Sequence, residues 1–198
     1  MTNFRKDRIS KVYDLQYHFF GTGHVVFKGN FYYHRAGYNE IVQYSLDEQA
    51  TTARLPVERA TFTGGVFLYS TDFNYFDLSV DENGLWAIYS NESDTETIMV
   101  AKINETDLSV STVLNIYVER RQYGNGFVAC GILYLVRDTR AKTTHIDYAY
   151  DLFMKQTVPV HLKFINPFQM NNMVTYIPEF KNIFSWDKGN QLIYNVTV

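Results

Sequence analysis

Phe76-Asp77-Leu78-Ser79-Val80-Asp81-Glu82-Asn83-Gly84-Leu85-Trp86-Ala87-Ile88 reads as a short strand, a polar turn and a second strand. Asp81-Glu82-Asn83-Gly84 carries the residues that tight turns favour, and short apolar runs flank it, as hairpin strands do. Across the next polar gap stands Ile98-Met99-Val100-Ala101, and Ser109 to Val118 follows as an outer strand. The same order recurs on both sides. Upstream, Gly23–Phe27 precedes Gly29-Asn30-Phe31-Tyr32-Tyr33 and Ile41-Val42-Gln43-Tyr44. Downstream, Gly126–Cys130 precedes Gly131–Leu135 and Ile146–Tyr150, with an outer strand from Val158 to Phe164. Met173–Tyr176, Asn182–Trp186 and Gln191–Tyr194 make the last copy. The copies lie about 50 residues apart, the period of one four-stranded propeller blade. A unit that cannot bury its own faces must stack on copies of itself. The recurrence therefore favours an all-β propeller over a sandwich, the other architecture with many short alternating strands.

With 198 residues, 46% of them hydrophobic, the chain can bury one sizeable core and is expected to form one domain. The 16 Tyr and 15 Phe suit half-buried pleated surfaces, which favours strand over helix. A net charge of −3 without a basic block lacks the electrostatic footprint of nucleic-acid binding. The short mixed clusters Arg5-Lys6-Asp7-Arg8 and Glu119-Arg120-Arg121 read as solvated surface. No apolar run reaches the roughly 18 residues of a membrane span. Met1-Thr2-Asn3-Phe4-Arg5-Lys6 lacks the apolar segment of a signal peptide, so an export signal would lie outside these residues.

Three Asn-x-Ser/Thr sequons begin at Asn91, Asn104 and Asn195, in polar or terminal sequence where a glycan could project into water. They point to a secreted chain. Cys130 is the only cysteine, so no disulfide can form within the chain. Within Phe127-Val128-Ala129-Cys130 it reads as a small buried apolar residue, with an unpaired thiol of a secreted protein as the other reading.

The segment from Phe76 to Ser90 resembles the signature of the olfactomedin domain. So do Gly21-Thr22-Gly23-His24-Val25-Val26, Asn125 to Tyr134, Asp147-Tyr148-Ala149-Tyr150-Asp151, and the closing run from Tyr176 through Trp186 to Tyr194. The resemblance runs in order over residues 10–196, leaving 1–9 as an N-terminal extension. It implies a five-bladed β-propeller of secreted or cell-surface proteins in matrix, adhesion and signalling, binding other extracellular proteins rather than catalysing. Against that pattern four blades are recognisable, so the N-terminal part of the family domain is expected to be missing. The resemblance also implies that Cys130 is half of a disulfide whose partner this chain lacks, and that oligomers form through segments outside it.

Many members of the family hold calcium in the central channel. Carried over by position, the ligands fall on Asp77, Asn125, the Gly126 carbonyl, the Val174 carbonyl and Thr175. Thr175 stands where the family has Asp, which removes one of two carboxylates. The alternative is a hydrogen-bonded channel cluster with water.

Other chemistry is sparse. The five histidines show no metal-ligand spacing, and no Gly-x-Ser-x-Gly elbow or phosphate loop occurs. Two further readings compete with an interaction module. One is a propeller enzyme of glycosidase or lactonase type, with Asp77 paired to Asp81 or Glu82 as acids. The other is a truncated product that folds poorly.

Overall fold

In the computed structural model, which describes residues 9–91 and 94–196, four antiparallel sheets stand around an axis as propeller blades. Blade 1 holds β1 (Val25–Phe27), β2 (Asn30–His34), β3 (Glu40–Ser45) and β4 (Ala50–Pro56). Blade 2 holds β5 (Phe76–Asp81), β6 (Gly84–Asn91), β7 (Asp94–Asn104) and β8 (Ser109–Tyr117). Blade 3 holds β9 (Asn125–Ala129), β10 (Ile132–Val136), β11 (Thr143–Asp151) and, along one edge, β12 (Gln156–Val158) and β13 (Leu162–Ile165). Blade 4 holds β14 (Asn171–Ile177), β15 (Asn182–Asp187) and β16 (Asn190–Asn195).

Three of the hairpins turn on two residues with positive φ: Lys28-Gly29, Cys130-Gly131 and Lys188-Gly189. Two left-handed residues in succession give the turn whose twist matches that of paired strands. Cys130, at φ +51°, is therefore an exposed turn residue, and the buried apolar reading is corrected.

Three apolar cores lie between successive blades. Tyr32, Ile41 and Val57 meet Leu78, Leu85 and Tyr89; Trp86, Ile88 and Ile98 meet Val128, Leu133 and Leu135; Phe127, Ile146 and Phe164 meet Val174, Tyr176 and Ile183. On the far face of blade 1, Tyr13, Leu15 and Tyr17 cover Tyr33, Val42 and Tyr44. Blade 2 is thus covered on both faces, and every residue of β5 is buried. The run Leu85 to Tyr89 in β6 is correspondingly apolar throughout, whereas burial along β15, backed on one face, alternates.

The strand expected from Val158 to Phe164 is two strands, because Pro159 has no N–H to give the ladder. β4 was not legible in the sequence, having one large apolar residue, Leu55, and no fully buried position. The expectation for Glu119-Arg120-Arg121 is also corrected: Arg120 is 1% exposed, in a single 3-10 turn after β8. Arg5-Lys6-Asp7-Arg8 lies outside the described residues.

Candidate functional site

The inner strands β1, β5, β9 and β14 line the axis, with β5 touching each of the other three. Into this space comes Tyr69, on the segment between blades 1 and 2. The Arg120 guanidinium donates to the Phe67 and Leu68 carbonyls (3.0 Å to Leu68), and that of Arg121 donates to the Tyr69 carbonyl. Burying an arginine is costly unless its donors are used, and here they fix the segment that aims Tyr69.

The Tyr69 hydroxyl donates to Asp77 Oδ2 at 3.0 Å. Burial raises the Asp77 carboxyl to about 7, with the Tyr69 hydrogen bond opposing the rise. Burial and the Asp77 charge push the Tyr69 hydroxyl well above its ordinary value. A Cβ on Gly126 would stand 2.9 Å from the Tyr69 hydroxyl, so glycine there leaves the phenol its place between β5 and β9. Gly23 bridges to Asp77 in parallel, and a Cβ there would lie 2.4 Å from the Phe76 carbonyl oxygen. Only glycine permits that approach.

Beside this pair runs a neutral polar ring. Asn74 Oδ1 accepts from the Thr22 and Gly23 amides at 2.7 and 3.3 Å. Thr22 Oγ1 donates to the Asn172 carbonyl at 2.6 Å, and Asn125 Nδ2 approaches the same carbonyl at 3.5 Å. These bonds tie the approach to blade 1 to blades 3 and 4.

The structure thus brings Asp77 and Gly126 together around Tyr69, with Asn125 adjoining. The residues carried over as calcium ligands stand on β5, β9 and β14, inner strands in contact with one another. Asn125 Oδ1 accepts from the Gly126 amide at 2.8 Å, Val174 packs in the core with blade 3, and Thr175 Oγ1 lies 3.4 Å from the Tyr176 carbonyl. Calcium takes six to eight hard oxygens. Asp77 is the one carboxylate of the carried-over set, and its Oδ2 accepts a hydrogen bond from the Tyr69 hydroxyl. Among the described residues no three His, Cys, Asp or Glu side chains are placed to share a metal ion.

The other acids act as clasps. Asp81 accepts from Trp86 Nε1 at 2.8 Å and the Gly131 amide at 2.6 Å. Glu82 accepts from the Cys130 amide at 3.1 Å and the Tyr176 hydroxyl at 2.6 Å, joining blade 2 to blades 3 and 4. Four residues of strand separate Asp77 from Asp81, about 13 Å. Paired glycosidase acids stand roughly 5–9.5 Å apart.

Of the sequons, Asn104 is exposed at the end of β7, where its Oδ1 accepts from the Thr106 amide at 2.9 Å. Asn195 is exposed at the end of β16, and Asn91 is half-buried at the end of β6, bridging to Ala60. Ser93 and Thr197, which complete two of them, lie outside the described residues. Sequence reasoning missed Tyr69, Asn74 and Arg120. Tyr69 and Asn74 sit in irregular segments without a repeat to mark them, and Arg120 sits in a charge run that reads as surface.

Comparison with known proteins agrees with this architecture. The olfactomedin-like domain matches residues 1–198. Myocilin of Oryctolagus cuniculus is 30% identical over 202 residues, spanning 98% of this chain and 41% of that protein. Myocilin of Rattus norvegicus is 29% identical, spanning 99% and 39%, and that of Canis lupus familiaris is 30% identical, spanning 94% and 39%. The chain therefore spans about two-fifths of the length of these relatives.

Proposed function

The chain belongs to the olfactomedin-like domain family, and from that membership we propose that it is a secreted, non-enzymatic module that binds extracellular or cell-surface proteins in matrix, adhesion or signalling. The observation that carries this reading is the state of the axis. Asp77 is buried against Tyr69, while Asp81 and Glu82 are engaged in holding blades together. An active site needs convergent titratable groups that a substrate can reach. The two acids nearest to that role are spent on structure.

Exposed Asn104 and Asn195 support glycosylation during export, since a glycan at either would meet solvent. The test is saturable binding of the labelled purified protein to cultured cells and deposited matrix, alongside a panel of glycoside and lactone substrates. Binding that protease treatment of the cells removes, without turnover of any substrate, is the expected result. Turnover abolished by Asp77→Asn would overturn the reading in favour of an enzyme.

A further inference from the structure

The chain holds two Asn-Gly pairs, Asn83-Gly84 and Asn125-Gly126. This dipeptide loses ammonia readily, because glycine puts no side chain in the way of attack by its own nitrogen. The two pairs stand in opposite surroundings. Asn125-Gly126 opens β9, which pairs along its length with β10, and Asn125 is 3% exposed. Asn83 is exposed in the two-residue turn between β5 and β6, with Gly84 at φ +108°.

The Asn83 carbonyl accepts a hydrogen bond from the Lys102 ammonium, which also lies over the Trp86 ring, 4.6 Å from its centre. A Cβ on Gly84 would stand 2.8 Å from Lys102 Nζ, so glycine is what lets the ammonium reach this peptide unit. Asp81 holds the other side of the turn. Its Oδ1 accepts from the Asn83 amide at 2.9 Å, and its Oδ2 from Asn83 Nδ2 at 3.0 Å. The same two oxygens serve Trp86 Nε1 and the Gly131 amide of blade 3.

We propose that Asn83 is a self-modifying site, at which Lys102 promotes a deamidation that weakens the Asp81 clasp between blades 2 and 3. Being exposed, the Asn83 side chain has room to swing from Asp81 onto the Gly84 nitrogen. The Gly84 amide gives its proton to hydroxide, and the charge that develops spreads onto the carbonyl oxygen that Lys102 faces. The nitrogen attacks Asn83 Cγ, the Cγ–Nδ2 bond breaks, and Nδ2 takes a proton from water and leaves as ammonia. Water then opens the cyclic imide at either carbonyl, giving aspartate or isoaspartate. Either product sets a carboxylate where Nδ2 had donated to Asp81 Oδ2, so a hydrogen bond becomes a repulsion. Isoaspartate also lengthens the main chain by a methylene within a tight turn. Asn125 lacks these aids: burial keeps base and water away, and its Oδ1 holds the Gly126 amide proton at 2.8 Å.

The test holds the purified protein at pH 7.5 and 37 °C for several weeks and follows both asparagines by peptide mass mapping. Isoaspartate is counted with isoaspartyl methyltransferase. Conversion at Asn83 is expected to be at least tenfold faster than at Asn125, and absent in Asn83→Gln. Lys102→Gln keeps a donor without the charge and slows conversion at Asn83 at least threefold. Reading Asn125 in the same sample separates this from a variant that merely loosens, which would speed both sites. Asn83→Asp reproduces the product and speeds hydrogen exchange at the Gly131 amide. Equal rates at the two asparagines, or an unslowed Lys102→Gln, overturn the inference. So does a lasting loss of ammonia with a cross-link from Lys102 to Asn83, since Lys102 would then be the nucleophile. Unchanged Gly131 exchange in Asn83→Asp overturns the effect on the clasp.

Discussion

The Tyr69 hydroxyl donates a 3.0 Å hydrogen bond to Asp77 Oδ2, and among the described residues no cationic side chain pairs with that carboxylate. A neutral donor offsets only part of the cost of burying a charge, so the carboxyl holds its proton up to about pH 7. In the unfolded chain Asp releases it near 3.8. The folded state thus binds the proton more tightly, and the stabilisation present below about pH 4 is lost as pH rises to 7. The full effect is on the order of 4 kcal/mol. Asp77→Asn removes this slope: in urea unfolding at several pH values, the variant gains on the wild type as pH rises from 4 to 7. A difference between the two proteins that stays constant with pH would refute the buried, unpaired carboxyl.

His34 works in the opposite sense. Burial lowers its pKa to about 4, with the hydrogen bond to the Tyr38 carbonyl opposing. Nε2 lies 2.7 Å from that carbonyl, and the ring packs 4.5 Å from Phe76. Unfolding frees the ring to take a proton below its ordinary 6.5, so stability present above 6.5 is lost as pH falls toward 4. His34→Gln flattens the acid limb and costs packing at every pH. The same urea series checks it: the deficit of the variant against wild type is largest near pH 7 and shrinks toward pH 4.

Arg120 anchors the segment that carries Tyr69. Arg120→Met keeps the bulk of the side chain, strips the Leu68 carbonyl of its guanidinium donor and leaves the Phe67 carbonyl only the 3.5 Å bond from Arg121 Nη1. Buried carbonyls stripped of partners cost about 1–3 kcal/mol each. The expected fall in Tm is about 5–10 °C for a chain of this size. Hydrogen exchange is expected to speed up at the Leu68 amide, which bonds the Asn74 carbonyl at 2.8 Å, well before the strands of blade 2 open. Uniform loosening of all four blades would contradict a local anchoring role.

These variants bear on what a sequence can show. Inner strands and hairpins were legible because blades repeat: periodicity and turn chemistry place β5, β9 and β15 within a residue or two of where they lie. β4 was not, because an outermost strand buries little and so need not be apolar. At the axis the family signature located Asp77, Asn125 and Gly126, but the residue that completes the arrangement is Tyr69, eight positions before Asp77 in an irregular segment. Its role arises from a close approach through space, which neither spacing nor composition encodes. Arg120 was misread for a related reason, since its carbonyl partners lie more than 50 residues away.

The same axis makes a last prediction about calcium. Asp77 and Thr175 stand on β5 and β14, inner strands in contact with one another, and only the first is a carboxylate. A single acid whose Oδ2 already accepts from the Tyr69 hydroxyl offers a dication one charge and few of the oxygens it takes. At pH 7.5 the wild-type Tm is therefore expected to be the same in millimolar calcium as in chelator. Thr175→Asp restores the second carboxylate. Without calcium, repulsion between the two acids lowers its Tm below that of the wild type. With calcium the Tm rises, by the equivalent of about 2.7 kcal/mol once the ion reaches a hundred times its dissociation constant. Magnesium serves as the control, because its small octahedral shell suits the site poorly. A calcium-dependent rise in the wild type itself would show that the Tyr69 hydroxyl yields its place on Asp77 to the ion.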